Sequence, residues 1–219
     1  MLNEKITQLK KSIIEESVLA EEMVKDSIAA LIKKQPSLLE KVLSRDESRL
    51  NQMEIEIEQK CINLIARYQP EAGNLRTIVM VLKMNNDLER IGDLAVNIAE
   101  SANYLIQRPQ VKPLIDIPRM AQESISMLKD AVNAFINEDA GLAKQVCERD
   151  SIVDNLRDQI LRELITFMTS EPKTIERALH LIRISRNLER IADLSTNIGE
   201  DVIFMVEGKI IKHHSAEEI

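Results

Sequence analysis

The chain is short of the residues that turn, stack or cross-link a polypeptide. Its 219 residues include only 5 glycines and 6 prolines, well below the roughly 12% combined share of average usage. Sandwiches and barrels need turn residues every 8–12 positions, so an all-β fold is disfavoured. Tryptophan is absent, and the aromatics are Tyr68, Tyr104, Phe135, Phe167 and Phe204 alone. Proteins that hold single-stranded nucleic acid stack bases on aromatic side chains, and this chain has almost none to offer. Its net charge of −7 also repels a phosphate backbone, so no nucleic acid partner is expected. Cys61 and Cys147 form no CxxC pair, which leaves neither a disulfide framework nor a zinc signature and suits a reducing compartment. The longest apolar runs, such as Ile78–Leu82 and Val202–Val206, fall far short of the roughly 20 residues that span a bilayer. The N-terminal residues are charged at once and no apolar stretch follows, unlike a secretory signal. No membrane insertion and a cytoplasmic location are therefore expected.

Catalytic signatures are missing as well. Neither glycine-rich nucleotide-binding pattern is present, and no Ser/His/Asp set has a family context. The Glu-x-x-His signature of di-iron bundles is absent too, since Glu176 and His180 are four apart and Ile210 stands three before His213. His180 reads as a structural helix residue, and His213-His214 lies in a tail beyond Gly208.

What the chain has is helical periodicity. Apolar residues recur at spacings of three and four through every long segment. Helices are expected over about 3–34, 36–67, 71–107, 119–136, 140–168 and 170–208. Ser37 with Glu40 reads as a capping box, Asp139 and Ser170 as N-caps, and Gly208 as a C-terminal stop. Pro109, Pro113 and Pro118 fall within ten residues, too dense for a helix. The fold expected is all-α, two tandem three-helix bundles at 1–108 and 119–208, with a Pro-rich linker at 109–118 and a tail at 209–219.

The two halves match in sequence. Residues 87–100 read DLERIGDLAVNIAE and residues 187–200 read NLERIADLSTNIGE, with nine of fourteen positions identical at a constant offset of 100. Upstream, Glu47-Ser-Arg-Leu-Asn51 aligns with Asp150-Ser-Ile-Val-Asp154, setting Leu50 against Val153. The shared identities include outward polar residues as well as the core. In the last helix Ile184, Leu188, Ile191, Ser195 and Ile198 mark a core face, while Arg186, Glu189, Asp193, Asn197 and Glu200 form a stripe opposite. Glu89, Asp93, Asn97 and Glu100 repeat that stripe. Asp150, Asp154 and Asp158 form another, with Glu47, Asn51 and either Glu54 or Glu58 as its counterpart. Like charges at i,i+4 destabilise a helix by a few tenths of a kcal/mol, so stripes kept in both copies suggest a bound cation. Carboxylates with the amides of Asn51, Asn97 and Asn197 are hard oxygen donors suited to Mg, Mn, Fe or Ca. A solvated helix face is the plain alternative.

At these residues the chain resembles the PhoU family of phosphate-signalling proteins. The doubled LERI-x-D motif, IARYQPEAGNLR upstream and RNLERIADLSTNIGEDVIFMVEG near the end carry the likeness. The resemblance implies a cytoplasmic, homodimeric, non-enzymatic regulator that represses phosphate uptake and the phosphate-starvation response when phosphate is plentiful. It implies action beside the ATPase subunit of a phosphate ABC transporter and a membrane sensor histidine kinase. It also implies multinuclear clusters of iron, zinc, manganese or magnesium on E(D)-x-x-x-D motifs. Those motifs match Glu89 with Asp93, Glu189 with Asp193 and Asp150 with Asp154, whereas Glu47 is followed by the neutral Asn51. The family's Asp-Leu-Arg triplet reads Asn74-Leu75-Arg76 here, and its second Ile-Gly-Asp reads Ile191-Ala192-Asp193. Counting charges, four carboxylates in the second bundle against three in the first predict tighter metal binding in the second. A metal-dependent phosphoester hydrolase is the alternative, with the ions as a two-metal clamp. With so few aromatic anchors, partner binding is expected to be weak and steered by charge.

Overall fold

In the computed structural model, which describes residues 2–208, long helices carry almost the whole chain and no strand occurs among the described residues. Helix α1 spans Leu2–Lys33. A short α2 at Pro36–Glu40 runs through a π-helical turn at Lys41–Asp46 into α3, Glu47–Tyr68. Then come α4 at Ala72–Ile106, α5 at Asp116–Asn137, α6 at Ala140–Ser170 and α7 at Ile175–Glu207. Helices α1, α3 and α4 pack as one bundle and α5, α6 and α7 as the other.

Each helix buries the stripe its sequence marks. On α1 the buried residues include Ile6, Leu9, Ile13, Ala20, Met23, Val24 and Leu31, one face at 3–4 spacing. On α7 Ile184, Leu188, Ile191, Ser195 and Ile198 are all buried. Small residues let helices approach closely. Ser27 Oγ lies 2.7 Å from Met23 O and 3.1 Å from Ala95 O, tying α1 to α4. In the second bundle Ser124 Oγ lies 3.0 Å from both Met120 O and Leu188 O.

The bundles join through α4 and α7, which run antiparallel. Near one end Lys83 Nζ pairs with Asp201 Oδ1 at 2.6 Å. Near the other, Tyr104 stacks on His180 with ring centroids 4.0 Å apart, and Arg108 lies over the Tyr104 ring at 3.5 Å. The offset of 100 turns Tyr104 and His180 into Phe204 and Met80, and those two line one apolar groove with Leu75 and Val79. The duplication is thus a pseudo-twofold relation across the α4/α7 crossing.

Several expected caps fall elsewhere. Pro36 is the first residue of α2 with Gln35 as N-cap, and no side chain caps it. Pro36 fits there because its missing N–H is unsatisfied at that position anyway. Ser170 is the last residue of α6, where its hydroxyl donates back to Thr166 O. Pro172 starts a single 3-10 turn before α7. Helix α5 starts at Asp116, so Pro118 sits in its first turn rather than in the linker. Asp139 caps α6 as expected, its carboxylate accepting from Leu142 N at 3.0 Å. Gly208 ends α7 at φ 71, a conformation glycine adopts without a Cβ penalty. The connection after α4 is held down by Arg177, which donates to Pro109 O at 2.7 Å, and by Lys112, which pairs with Glu163 and Asp116. His213-His214 lies outside the described residues.

Candidate functional site

Helix α3 is held against α4 where Leu50 meets Gly92. A Cβ at Gly92 would fall 2.0 Å from Leu50 Cδ2, so a hydrogen there permits the close approach. In the second bundle the same positions carry Val153 and Ala192, both fully buried. The smaller valine makes room for the extra methyl. These contacts set the spacing of the carboxylates on either side of them.

In the second bundle the expected residues come together. Burial, followed by the charges of Glu189, Asp150 and Asp154, pushes the Asp193 carboxyl up to about 6, and Arg157 acts against them. All four acidic residues are thus within electrostatic reach of each other. Sequence reasoning missed Arg157. Its guanidinium reaches Glu189 Oε1 at 2.6 Å, Asp154 Oδ1 at 3.2 Å and Asp158 Oδ1 at 2.9 Å. The signal was available, since Arg157 stands three residues after Asp154, on the same face of α6.

In the first bundle the perturbed carboxyl is that of Glu89. Burial, then Asp93 and Glu54, raise the Glu89 carboxyl, with Arg90 opposing. Glu47 is half-buried and Asn51 exposed, and Glu54 is the α3 residue that faces Glu89. A second group was missed altogether. Glu16 on α1 is completely buried, and neither carboxylate oxygen has a hydrogen-bond partner. Burial, then Glu54 and Glu89, push it up to about 9. The structure adds charges that the count made from sequence did not include. The first bundle has two additional carboxylates, and the second has an internal cation.

The two faces open onto one groove of about 430 Å³ lined by Asp93, Asn97, Asp193 and Asn197, with Arg90 and Arg190 beside them. Asn97 and Asn197 both line this groove. Among the described residues, no three His, Cys, Asp or Glu side chains stand close enough to hold a metal ion together. Arg157 pairs with both Glu189 and Asp154. No helix among the described residues is long and apolar enough to cross a membrane.

A family model for the PhoU domain matches residues 13–102 and again 117–202, one match in each bundle. The chain belongs to the PhoU family. It is 41% identical over 217 residues to the phosphate-specific transport system accessory protein PhoU homolog of Aquifex aeolicus, covering 99% of this chain and 98% of that one. It is 35% identical over 217 residues to PhoU homolog 2 of Thermotoga maritima, covering 99% and 92%. The crystal structure of PhoU from Pseudomonas aeruginosa superposes with a TM-score of 0.91 at 34% identity, over 95% of this chain and all of the other. The phosphate transport regulatory protein PhoU of Streptococcus pneumoniae gives a TM-score of 0.88 at 25% identity, over 97% of this chain.

Proposed function

We propose that this chain is a cytoplasmic, non-catalytic regulator of phosphate homeostasis that binds metal on its carboxylate faces. In this reading it is an accessory to a phosphate-specific transporter, restraining uptake and the starvation response when phosphate is plentiful. Its partners are the transporter's ATPase subunit and a membrane sensor histidine kinase, and it works as a homodimer. The observation that carries the reading is end-to-end similarity to transport accessory proteins, together with duplicated acidic faces that meet in one groove. The donor set fits a hard cation. It consists of carboxylates and amides without imidazole or thiolate, and the buried Glu16 carboxylate is left without a partner. Glu89 with Asp93 on α4 and Glu189 with Asp193 on α7 would hold such ions, aided by Asp150 and Asp154. Bound cations would neutralise the faces and set the charge a partner meets.

The test is capture of the transporter ATPase subunit by the full chain, with and without Mn²⁺, across a salt series. Capture that weakens as salt rises and changes when Asp93 and Asp193 are both replaced by Asn supports the reading. Capture unaffected by either refutes charge-steered recognition. Steady turnover of a generic phosphomonoester by the metal-loaded chain would favour the hydrolase instead.

A further inference from the structure

A cleft lies between the start of α1 and the end of α3, and no carboxylate of the described residues lines it. In a chain with 36 acidic and 29 basic residues, that is a local reversal of charge. Lys5 from α1 and Lys60 and Arg67 from α3 supply three cations. Lys60 Nζ donates to Ser12 Oγ at 3.2 Å and Lys5 Nζ to Gln8 Oε1 at 3.3 Å, both neutral oxygens. The floor is hydrocarbon, since Leu9 and Leu64 are buried. Tyr68, half-buried, stands beside them at the end of α3. The cleft measures about 390 Å³, within the roughly 300–1,000 Å³ of small-molecule sites.

The second copy satisfies the corresponding place from within. The offset of 103 that pairs Glu47 with Asp150 turns Lys60 into Glu163 and Arg67 into Ser170. Glu163 pairs with Lys112, which also reaches Asp116 Oδ2 at 3.3 Å at the start of α5. Gln159 Nε2 lies 3.4 Å from Glu163 Oε1. Lys112 is mostly buried, so its charge is enclosed and both of its carboxylates are the protein's own. Lys60 with Ser12 thus bridges α3 to α1 where Glu163, through Lys112, bridges α6 to α5. In the first copy the sign at that position is reversed, and no carboxylate lines the cleft to answer it.

We propose that the cleft between α1 and α3 binds a small phosphate ester with a flat organic body, of mononucleotide size. A phosphomonoester carries about −1.5 to −2 charges at pH 7 and three strong acceptor oxygens. Those match two lysines and the planar fork of Arg67, which grips a phosphate through two parallel N–H donors. Inorganic phosphate would meet the cations but leave the Leu9 and Leu64 floor against water. An organic body covers that floor beside the Tyr68 ring, whose face is apolar and whose hydroxyl is polar. Gln8 and Asn63 add amide donors and acceptors for hydroxyls or ring nitrogens. The cations stand on packed helices, so the site needs no glycine-rich loop, and it is separate from the acidic groove.

The experiment is titration calorimetry of the full chain with adenosine 5′-monophosphate, with chelator present so that no metal contributes, across a salt series. The parent should bind a single equivalent, more weakly as salt rises. Adenosine and inorganic phosphate should each bind at least tenfold more weakly. Lys60→Glu, which gives the cleft the sign of Glu163, and Arg67→Ala should each weaken binding at least tenfold. Arg190→Gln, in the acidic groove, should leave it unchanged. Lys60 and Arg67 are exposed, so both variants should fold, and circular dichroism checks that they do. No binding by the parent, parent-like binding in Lys60→Glu, or loss in Arg190→Gln alone overturns the site. Inorganic phosphate binding as tightly as the nucleotide overturns the ligand class. Sedimentation of the parent but not of Lys60→Glu with vesicles containing phosphatidic acid, without nucleotide binding, would move the ester to a lipid headgroup and overturn a soluble ligand.

Discussion

Replacing Gly92 by alanine should loosen the first bundle, and replacing Leu50 by valine in the same chain should restore it. The added Cβ would meet Leu50 Cδ2 at 2.0 Å and Cγ at 3.5 Å, with Met23 Cε at 3.8 Å. Leu50 is 1% exposed and Met23 fully buried, so Leu50 cannot swing away without displacing a neighbour. Overpacking of this kind costs about 1–3 kcal/mol. Alanine in a helix interior returns about 1 kcal/mol relative to glycine. The net expectation is a loss of up to about 2 kcal/mol. Leu50→Val alone should cost about 1 kcal/mol for the deleted methylene and the space it leaves. Together the two changes reproduce the Val153 and Ala192 pairing of the second bundle, so the clash disappears while the helix gain remains. The double variant should fall near the parent, with a favourable coupling of about 1–3 kcal/mol in the cycle. At about 2–4 °C per kcal/mol for a chain of this size, melts of the four proteins resolve it. A double variant that equals the sum of the singles would show that Leu50 is not what Gly92 accommodates.

Three further outcomes follow from single contacts. His180 is held below its ordinary pKa by burial and then by Arg183, so the folded state takes up its proton less readily than the unfolded chain. Its contribution is present above the unfolded pKa of about 6.5 and lost as pH falls through the lower folded value; the parent should lose more melting temperature than His180→Phe between pH 7 and 5, and equal losses would refute this. Asp139→Ala removes the cap on Leu142 N and should cost about 1 kcal/mol in urea melts, against no change if water replaces the cap. Burial pushes the Cys61 thiol up to about 12 and the Cys147 thiol up to about 11, so both should resist a thiol reagent at pH 8 until the chain unfolds; rapid native labelling of Cys61 would contradict that.

The fold was legible because its determinants are local and periodic. The α7 core face of Ile184, Leu188, Ile191, Ser195 and Ile198 is buried as its spacing requires. The duplication is visible in LERI-x-D, and Asp139 and Gly208 signal their helix ends through well-defined chemistry. Ser37, Ser170 and Pro118 were misleading because capping residues and early prolines are tolerated at several positions within a turn. The site was legible only along single helices. Which α3 residue faces Glu89 depends on the rotation of α3 against α4, and Glu54 is the one whose charge acts on the Glu89 carboxyl. Glu16 was illegible for a different reason. A glutamate within an apolar stripe reads as a stripe interruption, and only packing from three helices shows that it is enclosed.

The contrast between the copies bears on why the acidic faces persist. If the α4 and α7 carboxylates were a solvated surface, a cation at Arg157 would need no counterpart, and Glu54 facing Glu89 would be plain repulsion. Burial and the charges of Asp93 and Glu54 raise the Glu89 carboxyl, so holding this face charged costs stability. In the second copy the compensation is covalent and permanent. In the first, under the function proposed above, it would come from a bound ion, whose occupancy depends on its free concentration and which would stabilise the fold only when present. Both faces open onto the groove between Asp93 and Asp193. A partner reading that groove would meet one half whose charge is fixed and one half whose charge follows the ion. Removing Arg157 should make both halves ion-dependent, whereas an arginine in place of Glu54 should make both fixed. Partner capture by a Glu54→Arg chain should then no longer respond to Mn²⁺, and a response equal to the parent's would show that the first-bundle charge is not what the partner reads.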